Sequence, residues 1–437
     1  MEEYTNQQMN IIREGMSAKM KILWLSNIIL PIIAKERGEK VNPYGGWISG
    51  LLEGLAPLEE VTVCFPYNFT CDTDVNTIKG RAGKIDYIGF RESDRNIELF
   101  VEILTRCKPD VIHIWGTEYR HTLDMVNAAE QVGMINRTII NIQGLVSIYG
   151  KYHYYCGLPE YICKSASLAE RVRKNNIENG RQNFELRGKD EIAALQKVRH
   201  VIGRTDWDEA CVKQVNPEVQ YHFCNESLRP AFYQHRWDLN TCEPHTIFLS
   251  QSQYPIKGFH LMLDAMPLIL ARFPDTHVYT TGKRPQKPGV IGRLKEHAYP
   301  KYIRKQLENY RIEDHVSFLG YLDEQEMCQQ FLKANVFVSP SSIENESNSI
   351  SEAKILGMPV VASFVGGVTN RIEHGVDGFL YQWDAPYMLA YYVCRVFQDN
   401  EMAVGLGQCA RTRALAMHDR ERNLKAMRNI YKTVFSG

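Results

Sequence analysis

The chain has 437 residues, 44% of them hydrophobic and 23% charged, with 51 acidic and 51 basic side chains. That composition excludes a disordered or fibrous protein, and the balanced charge leaves no global field to steer the chain onto nucleic acid or an anionic membrane. The length exceeds what a single core usually fills, so two domains of roughly 200 residues are expected. Eleven cysteines, an odd number, are scattered without the spacing of a zinc site or disulfide framework, which fits a reducing cytoplasm. The stretch Met1 to Lys19 is polar and mixed in charge, unlike a signal or transit peptide, and no apolar run reaches membrane-spanning length.

Short β-branched runs alternate with helical patterns along the chain, the mark of an α/β protein with parallel sheets buried on both faces. The first predicted strand is Ile22 to Leu25, followed by a long loop, Ile28 to Tyr44, and a glycine pair, Gly45 and Gly46, that opens a helix. Without a side chain, that pair lets backbone approach a ligand closely. Val61 to Phe65 and Val111 to Trp115 are the next strands, and Glu118 and His121 lie beyond the carboxyl end of the second, where open α/β sheets bind ligands. Thr138 to Ile142 is followed by Gln143 and Gly144. The charged segment Cys163 to Asp190 is rich in Lys and Arg. It is read as a solvated helical face, with contact to anionic lipid headgroups or a lipid diphosphate as the alternative. The strand His200 to Gly203 leads into Arg204 and a helix capped by Thr205 or Asp206.

A boundary is expected near residue 230, giving an N-terminal domain over 1–229 and a C-terminal domain over 230–419. The second half restarts the strand pattern with Thr246 to Ser250, His277 to Thr281, Val316 to Leu319, Val336 to Val338 and Val360 to Ser363. Lys257 stands just before an amphipathic helix carrying Phe259, Met262, Leu263 and Met266. A cation at a helix N-terminus is disfavoured unless an anion lies between them. Residues 420–437 form a last helix whose stripe of Leu424, Met427, Ile430, Tyr431 and Val434 is expected to pack back toward the N-terminal domain.

The densest signal runs from Pro340 to Tyr381. Ser349 and Glu352 have capping-box spacing, Gly357 suits a helix end, and Pro359 stops the helix. The free N–H groups of the first turn, beside Ser347 and Asn348, with the positive end of the helix dipole, suit a diphosphate. Glu344 and Glu352 are separated by seven residues. With the preceding Pro-Ser, the following Pro-Val-Val-Ala-Ser, Lys257-Gly258, Gly320-Tyr321-Leu322 and Gly366-Gly367, this resembles the E-x7-E signature of retaining GT-B glycosyltransferases of the large family numbered four, over most of the C-terminal half.

The resemblance implies two facing Rossmann-like domains with a cleft between them, and a retaining, metal-independent hexosyltransferase using a nucleoside diphosphate sugar. It assigns Glu352 to the ribose hydroxyls, Glu344 to the transferred sugar, Ser347, Asn348 and Ser349 to the diphosphate, and Leu319, Tyr321 and Leu322 to the base. Lys257 would meet the donor phosphates and Gly45 with Gly46 the phosphate side of the N-terminal domain. Lys257 and Glu344 are the candidate catalytic residues. Glu118, His121 and Gln143 fall on the acceptor side. Two positions depart from the family: Ser252 stands where an arginine usually lies, and Gln143 where many members carry a histidine. Arg204 is expected to supply the cation missing at Ser252, with a structural ion pair as the alternative.

The expected donor is a UDP-sugar in preference to a GDP-sugar, with no metal and no further cofactor. The expected acceptor is a saccharide or lipid-linked saccharide, in bacterial surface polysaccharide synthesis. The expected location is the cytoplasm, with peripheral contact at the inner face of the membrane and no nucleic-acid partner. A non-catalytic scaffold and a sugar phosphorylase or disaccharide synthase of the same fold are the alternatives.

Overall fold

The computed structural model describes residues 19–41, 45–69, 76–93, 96–285, 289 and 296–437. The N-terminal stretch before Lys19 and the end of the first loop at 42–44, both discussed above, lie outside these residues. The first sheet contains β1 (Lys21–Leu25), β2 (Glu60–Pro66), β3 (Thr77–Ala82), β4 (Ile85–Phe90), β5 (Val111–Trp115), β6 (Thr138–Asn141), β7 (His200–Gly203) and β8 (Gln220–Phe223). Their order is β3-β4-β2-β1-β5-β6-β7-β8, all parallel except β3, which runs antiparallel to β4. The second sheet contains β9 (Thr246–Leu249), β10 (His277–Thr280), β11 (Val316–Phe318), β12 (Val336–Ser339), β13 (Val360–Ser363) and β14 (Phe379–Tyr381). It is parallel throughout, in the order β11-β10-β9-β12-β13-β14.

The central strands are near-continuous apolar runs because helices cover both faces. β5, β6, β7, β9, β12 and β13 are buried at every position. Four strands not expected from the sequence, β3, β4, β8 and β14, lie at or next to the edges of their sheets. β3 reads Thr-Ile-Lys-Gly-Arg-Ala and pairs with β4 across a tight turn at Gly83, where φ is +60°; β8 is half exposed, and β14 has three residues.

The strand order reverses between β1 and β5 in the first sheet and between β9 and β12 in the second. Chain connections leave those strands in opposite directions, which opens a crevice at the carboxyl ends. Both crevices face the same interdomain cleft: it is bordered by Ile28 and Glu118 from one sheet, and by Ser250 and Pro340 from the other.

Two excursions tie the domains together. After β6 the chain crosses to the second domain, where Leu158, Ile162, Cys163 and Ile177 join the core built by Phe259, Met262, Met266 and Leu389. The crossing is pinned by His260 Nε2 against the Cys156 carbonyl at 2.7 Å and by His297 Nδ1 against Glu170 Oε1 at 3.0 Å. The helix Ile177–Lys197 then returns to bury Ala194 and Leu195 in the first core. The charged segment read from sequence as a solvated face is therefore charged on one side and anchored by apolar residues on the other. In the opposite direction, the terminal helix Arg420–Ser436 lays Met427, Ile430, Tyr431 and Val434 into the first domain's core. There Trp24 Nε1 donates to Tyr431 Oη at 3.0 Å, and His113 Nδ1 meets the same oxygen at 2.6 Å. Among the described residues no helix is long and apolar enough to cross a membrane.

Candidate functional site in the interdomain cleft

The cleft has a volume of about 570 Å³ and is walled by both domains. On the C-terminal side its shape is set by glycines. Lys257 ends a short turn after β9, and Gly258 follows at φ +69°, packed so closely that an added Cβ would come within 1.8 Å of the Pro340 carbonyl. That contact draws the lysine turn onto the loop after β12, where Ser342 N donates to the Ile256 carbonyl at 3.0 Å. Gly366 and Gly367 press on the same loop from behind: Cβ atoms there would lie 2.2 Å from the Glu344 carbonyl and 1.9 Å from the Asn345 carbonyl. The resulting loop presents Glu344 to the cleft. Its Oε1 accepts from Lys257 Nζ at 2.7 Å and from Ser341 Oγ at 2.7 Å.

The helix that follows runs Asn348–Leu356 with Ser347 as N-cap, and no side chain caps it. The capping box expected between Ser349 and Glu352 does not form. The helix begins earlier than the sequence suggested, so Ser349 falls at its second position and Glu352 at its fifth, beyond reach of the N-cap. Asn348 and Ser349, in this uncapped first turn, both line the cleft.

Glu352 instead meets a residue that no pattern in the sequence singles out. Arg229, in the linker between the sheets, donates from Nε at 2.6 Å and Nη2 at 2.7 Å to its two oxygens. Burial pushes the Glu352 carboxyl up, and Arg229 works against that shift. An isolated arginine in a linker belongs to no periodic pattern, and only the residue after it, a proline starting the short helix Pro230–Gln234, marks the position as rigid.

Other expected site residues are placed as follows. Tyr321 and Leu322 line the cleft, whereas Leu319 packs against the second domain's core. Near the first glycine pair the wall is made by Asn27, Ile28 and Ile48; Gly45 is the N-cap of the helix Gly46–Leu55, and a Cβ there would strike Ile28 Cδ1 at 2.4 Å. Ser252 lines the cleft with its hydroxyl donated to the Thr281 carbonyl at 2.7 Å. Gln143 also lines it, donating from Nε2 to Asn141 Oδ1 at 2.8 Å and Glu226 Oε1 at 3.0 Å.

Two expectations are revised. His121 does not reach the cleft: it is buried on the helix Arg120–Gln131, stacked on Tyr119, with Nδ1 3.2 Å from Glu92 Oε1. Arg204 borders the cleft but is 2% exposed and committed to carboxylates, paired with Glu226 and, through Nε at 3.1 Å, with Glu346. The ion pair, the alternative weighed above, is what the structure contains. The Arg204 guanidinium lies buried between these two carboxylates and the Ile142 carbonyl. Glu346 also pairs with Arg371 Nε at 3.1 Å; burial raises its carboxyl, but Arg371 and Arg204 outweigh that and hold it below the usual range.

Glu118 does reach the cleft. Its Oε2 is buried with no hydrogen-bond partner among the described residues, and burial, reinforced by Glu191, pushes its carboxyl up to about 7. A native-state value raised above the unfolded one stabilises fully below the unfolded value, and that contribution is lost as pH rises through about 7. Glu118→Gln is permanently neutral, so it is expected to gain thermal stability over the wild type, and by more at pH 8 than at pH 5. Melting curves of the pair at both pH values measure this, and a constant difference would show that Glu118 is not desolvated.

Comparison with known proteins adds to this geometry. Residues 234–413 match the family model described as Glycosyl transferases group 1. A D-inositol 3-phosphate glycosyltransferase of Corynebacterium urealyticum is 26% identical over 181 residues, 41% of this chain and 41% of that protein. The matched stretch thus spans less than half the length of such curated relatives. Among solved structures, sucrose-phosphate synthase from Thermosynechococcus elongatus aligns with a TM-score of 0.68 at 19% identity, covering 96% of this chain and 100% of that one. The Anabaena protein Alr3699/HepE in complex with UDP-glucose aligns at 0.64 with 16% identity, covering 95% and 100%. Lys257, Glu344 and Glu352 all lie within the stretch that matches the glycosyl transferases group 1 model, and the chain has the two-domain GT-B fold.

Proposed function

We propose that this chain is a hexosyltransferase that moves a sugar from a nucleoside diphosphate onto an acceptor hydroxyl, with retention at the anomeric carbon and without a metal ion. The observation that carries this reading is the meeting of Lys257, Glu344 and an uncapped helix N-terminus in one cleft wall. Breaking the anomeric C–O bond puts negative charge on the departing diphosphate and positive charge on the sugar. Fixed donors aimed at the leaving group are therefore the chief requirement. Lys257 and the N–H groups at Asn348 and Ser349 serve that need. Glu344, held by Lys257 and Ser341, faces the sugar, and Glu352 takes the ribose. Attack on the same face lets the leaving phosphate oxygen accept the acceptor's proton, so no protein base is needed. On the opposite wall, Glu118 and Gln143 meet the acceptor. The UDP-glucose complex of Alr3699/HepE favours a uridine donor.

The test is thermal stabilisation by UDP, GDP, ADP and CDP, each with EDTA and with magnesium, on wild type, Lys257→Ala and Glu352→Ala. A nucleotide at a hundredfold over its dissociation constant should add about 2.7 kcal/mol. One nucleotide is expected to stabilise the wild type in EDTA, and the variants to lose most of that shift. No stabilisation by any of the four would end the donor-site reading and favour a scaffold without catalysis.

A further inference from the structure

We propose that Arg229 is a positioning residue for the donor's ribose: from the interdomain linker its two-point grip turns the Glu352 carboxylate so that its remaining lone pairs face the cleft. This rests on reading the cleft as a nucleoside diphosphate site.

Glu352 is 3% exposed, and burial favours its neutral form. A neutral carboxyl would offer one proton and lose most of its power to accept, whereas an ionised carboxylate offers about four acceptor positions. The two-point grip of Arg229 uses one position on each oxygen. One remains on each, the number needed for two neighbouring ribose hydroxyls. The grip also matters for charge. Glu352 lies one helical turn beyond Asn348, where the diphosphate is placed, and an unpaired carboxylate there would repel that anion.

Arg229 is built to hold still. Pro230 fixes the backbone after it, Ala231 N donates to Glu324 Oε1 at 2.9 Å, and the guanidinium lies 4.8 Å from the ring centre of Phe232, itself fully buried. Both Arg229 and Glu352 line the cleft. A linker residue therefore sets the geometry of a donor-binding carboxylate, and any movement of the linker is felt at the ribose.

The experiment compares binding of UDP, GDP, ADP and CDP with their 2′-deoxy counterparts by calorimetry, on wild type, Arg229→Met, Arg229→Lys and Glu352→Gln. For the nucleotide that binds, the wild type is expected to prefer the ribo form by about tenfold or more. Arg229→Met and Glu352→Gln should bring that ratio close to one. Arg229→Lys, which restores charge without the fork, should give an intermediate ratio. Binding of the ribo form to Arg229→Met should also fall away at a higher pH than in the wild type, because its Glu352 protonates sooner. A merely structural role would lower the melting temperature and leave the ratio and pH profile as in the wild type, and that result would overturn the proposal. If Arg229→Met does not fold, an unchanged ratio in Arg229→Lys has the same force. Failure of all four nucleotides to bind the wild type would instead sink the donor-site reading.

Discussion

Lys257→Ala is expected to lower sugar transfer about 100- to 1,000-fold, the usual loss when one fixed donor to a developing anion is removed. The effect should fall mainly on kcat, since the charge that Lys257 meets is larger on the departing diphosphate than on the intact donor. The pairing of Lys257 with Glu344 sharpens the expectation. Without the cation Glu344 keeps, among the described residues, only Ser341 as a side-chain hydrogen-bond donor, so its orientation is expected to loosen along with the loss of charge. Steady-state rates with the donor identified by thermal stabilisation, in EDTA, measure the loss. A variant within threefold of wild type would remove Lys257 from the catalytic machinery.

The second large effect concerns stability. Arg204→Ala should destabilise the fold by about 3–5 kcal/mol, the cost of leaving buried carboxylates without their cation. Arg204 is held by Glu226 and Glu346 and donates to the Ile142 carbonyl at 2.9 Å, while Arg371 Nη2 donates to its carbonyl at 2.9 Å. One guanidinium thereby joins the end of β7, the linker and the loop before the helix Asn348–Leu356. Burial already raises Glu226, with Arg204 opposing it. With the arginine gone that carboxyl rises further, so the deficit should be greater at pH 8 than at pH 5. Adding Glu226→Gln should recover part of the loss, and the interaction in that double-mutant cycle isolates the pair. Chemical denaturation of the four proteins measures it. Unchanged stability together with lost nucleotide binding would instead restore Arg204 as a phosphate ligand.

Elements made from local pattern were legible in the sequence. Each expected strand exists, because a run such as Val360 to Ser363 can satisfy its backbone and hide Val360, Val361 and Ala362 only inside a covered parallel sheet. The two carboxylates with seven residues between them and the lysine before its helix were legible too, since chain connectivity fixes them near β12 and β9. The misplaced capping box has a comparable cause: two serines, at 347 and 349, precede the same apolar turn, and spacing alone does not say which one begins the helix.

What the sequence by itself determined was the α/β class, the two sheets and the chain segments that end at their switch points, all consequences of apolar periodicity and glycine placement. What only the tertiary structure decided was partnership. Leu158, Ile162 and Ile177 bury in the second domain although they follow strands of the first. Arg204 is used up by Glu226 and Glu346, and Arg229 takes both oxygens of Glu352 across 123 positions of chain. The reason is physical: a charge or an apolar face states what it needs locally, but which distant group supplies it depends on how two domains close over one cleft.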